Sequence, residues 1–242
     1  MIRELYRLSV AIDGLRWRDF WQNSGFRIAR KVTAMPPPPE FIFLDVGNVL
    51  VSFDHARGLR QIATASGVDL PVVESFFHDR ELQPRLEAGA ISWPAAHADF
   101  CRSTGATVSI EAFSLAAGDI FSLRVEMLPV LAALWRRRMR VGLLSNSCEP
   151  HWQFICNSGY ALLPASFPIT VLSHEVAAAK PAEAIYNCAV EAAGVAPEQI
   201  FFCDDIEAHV NAARAAGWDA EIFHSASRLV DDLSRRGVRL GL

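Results

Sequence analysis

Apolar residues along the chain fall into two kinds of pattern. Short continuous runs are separated by longer stretches in which apolar positions recur at helical spacing. The first run is Phe41-Ile-Phe-Leu44, followed at once by Asp45-Val-Gly47-Asn48. Further runs stand at Met139–Ser145, at 168–172, at Gln199–Asp204 and at Asp219–Phe223. Runs this short and this apolar read as strands buried on both faces, the usual state in a parallel sheet. Between them the spacing predicts a helix over about 150–158, a helix opened by Pro181 and closed by Gly194, and a helix over 207–216 ended by Gly217. Strands alternating with helices predict an α/β fold built on a parallel sheet with right-handed crossovers.

The stretch 55–135 breaks this alternation. Gly67, Pro71, Pro84, Gly89, Pro94, Gly105 and Pro129 divide it into short helices, and the next strand begins only at Met139. A crossover needs little more than one helix, so residues 55–120 are expected to be an inserted helical subdomain. It leaves the sheet just after Asp45 and is expected to act as a cap. The core is then residues 40–54 together with 121–242. Residues 1–39 differ from both, mixing arginines with aromatics and ending in Met35-Pro36-Pro37-Pro38-Pro39, a stiff spacer. They read either as a helical appendage or as sequence upstream of a true start at Met35.

Composition narrows the function. Hydrophobic residues make up 51% of the 242, yet no run is long enough to span a bilayer, so neither a membrane partner nor a membrane location is expected. Net charge is −4, which argues against a nucleic-acid partner. Residues 1–35 carry seven Lys/Arg against three Asp/Glu, so the remainder is more acidic still. The five cysteines are odd in number and form no CxxC pair, which argues against a disulfide framework or a zinc site and for a cytoplasmic location. Cys148 reads as a small semi-buried thiol.

Candidate chemistry sits at the ends of the predicted strands: Asp45 after the first, Ser145-Asn146 after the second, Lys180-Pro181 before a helix, and Asp204-Asp205 after the strand Ile-Phe-Phe-Cys. Parallel strands point their carboxyl ends one way, so these groups are expected to converge on one edge, where open α/β sheets bind ligands. Singly, each has an ordinary reading: a turn aspartate, a strand-end serine, a solvated lysine, a helix N-cap pair. Together, carboxylates that would repel one another call for a bridging cation, and hard oxygen ligands select Mg²⁺. Asp45 is then placed to attack phosphorus, with Ser145 donating to a transferring oxygen and Lys180 neutralising charge there.

The order Leu44-Asp45-Val-Gly47-Asn48-Val49, Leu144-Ser145-Asn146, Lys180-Pro181 with Ile185-Tyr186, and Phe202-Cys-Asp204-Asp205 with Ala212-Ala213 and Gly217 resembles the haloacid dehalogenase-like (HAD) hydrolase superfamily over about residues 40–225. It is most similar to small-molecule phosphatases with a helical cap, such as sugar-phosphate phosphatases and the phosphatase domain of epoxide hydrolases. Leu86-Glu87-Ala-Gly89-Ala-Ile91-Ser92 and His151 extend the likeness. The resemblance implies a Rossmann-like core and Mg²⁺ held by Asp45, the Gly47 carbonyl, Asp204 and Asp205. It also implies Asp45 as nucleophile, and Ser145, Asn146, Lys180, Gly47 and Asn48 around a small phosphorylated metabolite. Three residues depart from the pattern. Gly47 replaces the aspartate that serves as general acid–base in most relatives, a function worth about 10²–10⁴-fold. Ala177 replaces a usual glycine, and His209 stands where asparagine is common. Two other readings compete with a phosphatase: a metal-free carbon–halogen hydrolase, and a catalytically impaired phosphate-binding protein. A receiver-type module shares the residue set but has its aspartate pair first in the chain. Phe77, His78, Arg80 and Arg85 are candidate cap contacts to substrate, beside an ordinary surface or core role for each.

Overall fold

The computed structural model describes residues 37–158 and 166–242. The expectations for residues 1–36 lie outside the described residues. Strand β1 (Phe41–Leu44) is buried at every position, and its side chains alternate between two cores. Ile42 and Leu44 face a cluster with Leu131, Leu134, Leu229 and Leu233. Phe41 and Phe43 face another with Tyr186, Val210 and Trp218. A period of two with both faces apolar makes this the central strand of a sheet covered by helices on both sides.

The sheet contains β4 (Arg140–Ser145), β5 (Thr170–Leu172), β6 (Ile200–Asp204) and β7 (Asp219–Ile222), in the order β5-β4-β1-β6-β7, with every pairing parallel. Register matters for function. Leu44 lies level with Leu143 of β4 and Cys203 of β6, and Asp45 N–H donates to the Cys203 carbonyl at 3.0 Å. Asp45 therefore emerges beside Asp204, with Ser145 one residue further along. This is the α/β, Rossmann-like architecture expected from the sequence.

A second, two-stranded sheet pairs β2 (Val51–Phe53) antiparallel with β3 (Phe121–Leu123), neither of which the apolar pattern predicted. Between them run five helices: α1 (His55–Ser66), α2 (Leu70–His78), α3 (Leu82–Glu87), α4 (Trp93–Thr104) and α5 (Ile110–Gly118). The predicted breakers act locally as expected. Gly67 and Gly105 end helices in the left-handed conformation, and Pro71 and Pro94 sit in first turns. The insert buries its own cluster of Ile62, Phe76, Leu86, Trp93, Phe100 and Phe113. It meets the core through α5, where Gly118 lies against α7 (Glu149–Asn157). A Cβ on Gly118 would stand 2.7 Å from the Pro150 carbonyl oxygen, so this approach requires glycine.

The remaining helices are α6 (Leu128–Arg136), the short α8 (Ser173–Val176), α9 (Glu183–Ala193), α10 (Glu207–Ala215) and α11 (Ala226–Arg235). One expectation is corrected. Pro181 does not open α9, which starts at Glu183 after Ala182, and the Lys180–Pro181 peptide is cis. The cause lies in the preceding residue. Lys180 N–H donates to Asn146 Oδ1 at 2.7 Å while its carbonyl accepts from Asn146 Nδ2 at 2.9 Å, holding this backbone against β4 and off the helix axis.

Candidate active site

Three strand ends and one loop meet at Lys180, whose side chain is fully buried. Its Nζ lies 2.9 Å from Asp45 Oδ1 and 2.6 Å from Asp204 Oδ2, and it donates to the Leu144 carbonyl at 2.9 Å. Two of the three ammonium donors serve Asp204 and the Leu144 carbonyl, and Asp45 faces the group as an ion pair. Asp204 is just as enclosed: Oδ1 accepts from the Ile206 N–H at 2.8 Å, and His209 Nδ1 stands 3.0 and 3.1 Å from its two oxygens. Asp205 is less buried and accepts from Asn48 Nδ2 at 2.9 Å. Asn48 takes φ 52°, left-handed geometry that asparagine tolerates better than most residues, and so reaches across from the turn after Asp45.

Burial raises the Asp45 carboxyl to about 6, with Lys180 opposing the rise and Asp204 adding to it. Burial also works against the charge on Lys180, but Asp45 and Asp204 outweigh it and hold the pKa above the usual lysine value. For Asp204 burial is likewise overcome, by Lys180 and His209, and its carboxyl stays below the ordinary range. The cluster is thus a buried lysine between two carboxylates, with a third carboxylate beside it.

Ligand oxygens of Asp45, Asp204 and Asp205 lie within 4.8 Å of one another. Asp45 Oδ1 is buried and, apart from its ion pair with Lys180, takes no well-angled hydrogen bond among the described residues. A hard divalent cation suits such an all-carboxylate set. The residues present fit Mg²⁺.

Other predicted residues fall into place differently. Ser145 is buried at the strand end, its Oγ donating to the Asn146 carbonyl at 3.3 Å. The side chain of Asn146 spends donor and acceptor on the Lys180 backbone, and so positions the lysine. Asn48 is similarly committed to Asp205. At Gly47 a Cβ would stand 3.0 Å from Phe53 Cε1 and 4.0 Å from Asp45 Oδ2. The space a carboxylate side chain at 47 would enter is thus shared with the Phe53 ring. Ala177 holds φ 51°, which explains why glycine suits this position. His209 was legible only as a departure from a pattern. Its bond to Asp204 could not be read from spacing.

Two histidines border the site. His151 is buried, in edge contact with Phe121 at 5.3 Å and near His55 at 5.8 Å between ring centroids. Burial, with His55 and His174 adding to it, pushes the His151 pKa down to about 3. Between about pH 6.5 and about pH 3 the unfolded chain therefore binds a proton at this residue that the folded chain does not. Stability should fall as pH drops through that window, by on the order of 4 kcal/mol at its lower end. Urea midpoints measured from pH 7 to pH 4 should show this slope, and His151→Phe should flatten it. Cys148, pushed up to about 12 by burial, is no thiolate.

Of the cap candidates, Phe77 and His78 line a cavity between insert and core, but Arg80 turns away: it pairs with Asp99 at 3.4 Å and lies 4.4 Å above the Phe76 ring. Among the described residues, no helix is long and apolar enough to cross a membrane, and all five cysteines are free.

This fold has counterparts among solved structures. A HAD family enzyme from Bacteroides thetaiotaomicron, in complex with magnesium and inorganic phosphate, is 25% identical, with 76% of this chain and 94% of that chain covered at a TM-score of 0.67. A predicted HAD-like family hydrolase from Porphyromonas gingivalis is 22% identical, covering 84% of this chain and 98% of its own at a TM-score of 0.67. A 2-haloacid dehalogenase from Pseudomonas syringae is 16% identical, with 81% and 98% covered and a TM-score of 0.54. The model of the haloacid dehalogenase-like hydrolase family matches residues 39–217, most of the chain and every strand of the five-stranded sheet up to β6. The chain belongs to the haloacid dehalogenase-like hydrolase family.

Proposed function

We propose that this hydrolase is a Mg²⁺-dependent phosphomonoesterase acting on a small phosphorylated metabolite, with Asp45 as nucleophile. The observation that carries the reading is the gathering of Asp45, Asp204 and Asp205 oxygens within 4.8 Å, beside a buried lysine. A cluster with this surplus of negative charge is built to hold a cation next to a nucleophile. The bound cation would supply charge to shield Asp45 from a phosphate dianion. Asp45 then attacks phosphorus, forming an aspartyl-phosphate as the ester oxygen leaves with the bonding electrons. Lys180, already on Asp45, neutralises phosphoryl oxygens during transfer, and Ser145 offers them its hydroxyl. Water then cleaves the acyl-phosphate, returning the Asp45 carboxylate and inorganic phosphate. With Gly47 in place of a carboxylate, the leaving oxygen takes its proton from water or from a group of the substrate. In this reading the α1–α5 insert is the cap over the site, and the protein works in the cytoplasm, consistent with its free thiols.

A metal-free carbon–halogen hydrolase is favoured by one observation, the missing carboxylate at Gly47, and disfavoured by Asp204 beside Asp205, a pair that such chemistry does not need. The two readings part on metal. Phosphate release from p-nitrophenyl phosphate should require Mg²⁺ and vanish in EDTA. Turnover of a haloacid that survives EDTA would sink the proposal.

A further inference from the structure

Insert and core border an open cavity of about 1090 Å³. Its floor belongs to the core: Cys148, Pro150 and His151, which follow directly on β4 and the Ser145 end of the site. On the β2 side, His55 lines it and packs on Phe53 at 4.9 Å between ring centroids, the same ring that stands over Gly47. The His55 wall of the cavity is thus linked through Phe53 to the turn that carries Gly47, next to Asp45. Its walls are apolar, with Ile62, Trp93 and Ile120 among them, and its exposed rim carries Glu74, Asp79 and Glu81.

What lines it excludes as much as it admits. Among the described residues, no lysine or arginine borders the cavity. Arg80, which sequence offered for that purpose, is engaged by Asp99 and Phe76. Burial lowers the pKa of both His151 and His55, and the third histidine of the lining, His78, is exposed at the rim beside Asp79. A second anionic group on a substrate would therefore meet three carboxylates and a largely apolar chamber with no lysine or arginine among the described residues to receive it, a desolvation that goes uncompensated. A hydroxyl or an ammonium group finds acceptors at the rim and meets a favourable potential there.

We infer that this cavity receives the leaving group, and that it selects phosphomonoesters of neutral or cationic alcohols over those bearing a second phosphate or a carboxylate. This rests on the phosphatase reading above.

The test compares kcat/KM, with Mg²⁺ present, for phosphocholine and glycerol phosphate against phosphoglycolate and fructose bisphosphate, with p-nitrophenyl phosphate as reference. The first pair should lead by about tenfold or more. Replacing Glu74→Lys together with Glu81→Lys, both exposed, should shift the ratio by about tenfold toward the anionic esters. If that variant melts below the parent, Glu74→Gln with Glu81→Gln should move the ratio the same way by less. Preference of the parent enzyme for the anionic esters would overturn the inference. So would a ratio unmoved by variants that melt as the parent does. Hydrolysis of p-nitrophenyl phosphate without any charge preference defeats the inference alone, whereas no hydrolysis of any ester defeats the phosphatase reading and this inference with it.

Discussion

Asp45→Asn should lower kcat on p-nitrophenyl phosphate by about 10⁴-fold or more while leaving the fold intact. The amide keeps the shape of the carboxylate but is no nucleophile, so the covalent step is lost outright. Stability should hold for a reason visible in the site. Burial already works against the charge on Asp45 and raises its carboxyl to about 6. Lys180 also retains Asp204 at 2.6 Å and the Leu144 carbonyl at 2.9 Å once Asp45 is neutral. Steady-state phosphate release and a thermal melt on the same preparation check both halves. Retention of more than about a hundredth of the parent rate, well above the loss expected of a nucleophile, would remove Asp45 from that role.

Lys180→Met should have the largest effect on stability, a loss of about 3–5 kcal/mol. The side chain is fully buried and stands between two carboxylates at 2.9 and 2.6 Å. Methionine fills much of its volume but leaves Asp45 and Asp204 facing each other with no compensating charge. An unpaired buried charge costs more than the ion pair was worth, which is why breaking such a pair differs from never having made it. Mg²⁺ should restore part of the loss, because a cation held by the carboxylates of the folded state alone stabilises that state by mass action. Urea denaturation at constant m-value, with Mg²⁺ and with EDTA, measures both effects. A midpoint equal to that of the parent in EDTA would show that Lys180 does not bridge the two carboxylates.

The place of the candidate site was legible because it is written in local signals. A strand buried on both faces has to be a continuous apolar run, and the residue that ends it is named by position alone. Phe41–Leu44 with Asp45, and Ile200–Cys203 with Asp204, are such cases. Parallel pairing then brings their ends together without further information, and so places Asp45, Ser145 and Asp204 on the edge where Lys180 meets them. That the insert consists of short helices was legible for a similar reason, since glycine and proline act on the backbone within one turn.

What escaped the sequence depends on contacts between residues distant along the chain. β2 and β3 are three residues each and exist because they pair with one another across the insert. No run of that length carries a pattern of its own. His209 on Asp204 and Asn146 on the Lys180 backbone are likewise matters of direction, set by where α10 begins and how the loop before α9 lies. Arg80 is a cation in the sequence and an ion pair with Asp99 in the fold.

The stretch Phe41–Asn48 thus carried from sequence alone the strand, the turn and the carboxylate on which the proposed chemistry rests, because these are local features. Only the tertiary structure decided that the Phe53 ring stands over Gly47, and that the chamber walled by His55 carries acid at its rim and, among the described residues, no lysine or arginine. Those facts are set by the packing of side chains from separate elements, and packing in three dimensions leaves no period in the chain to read.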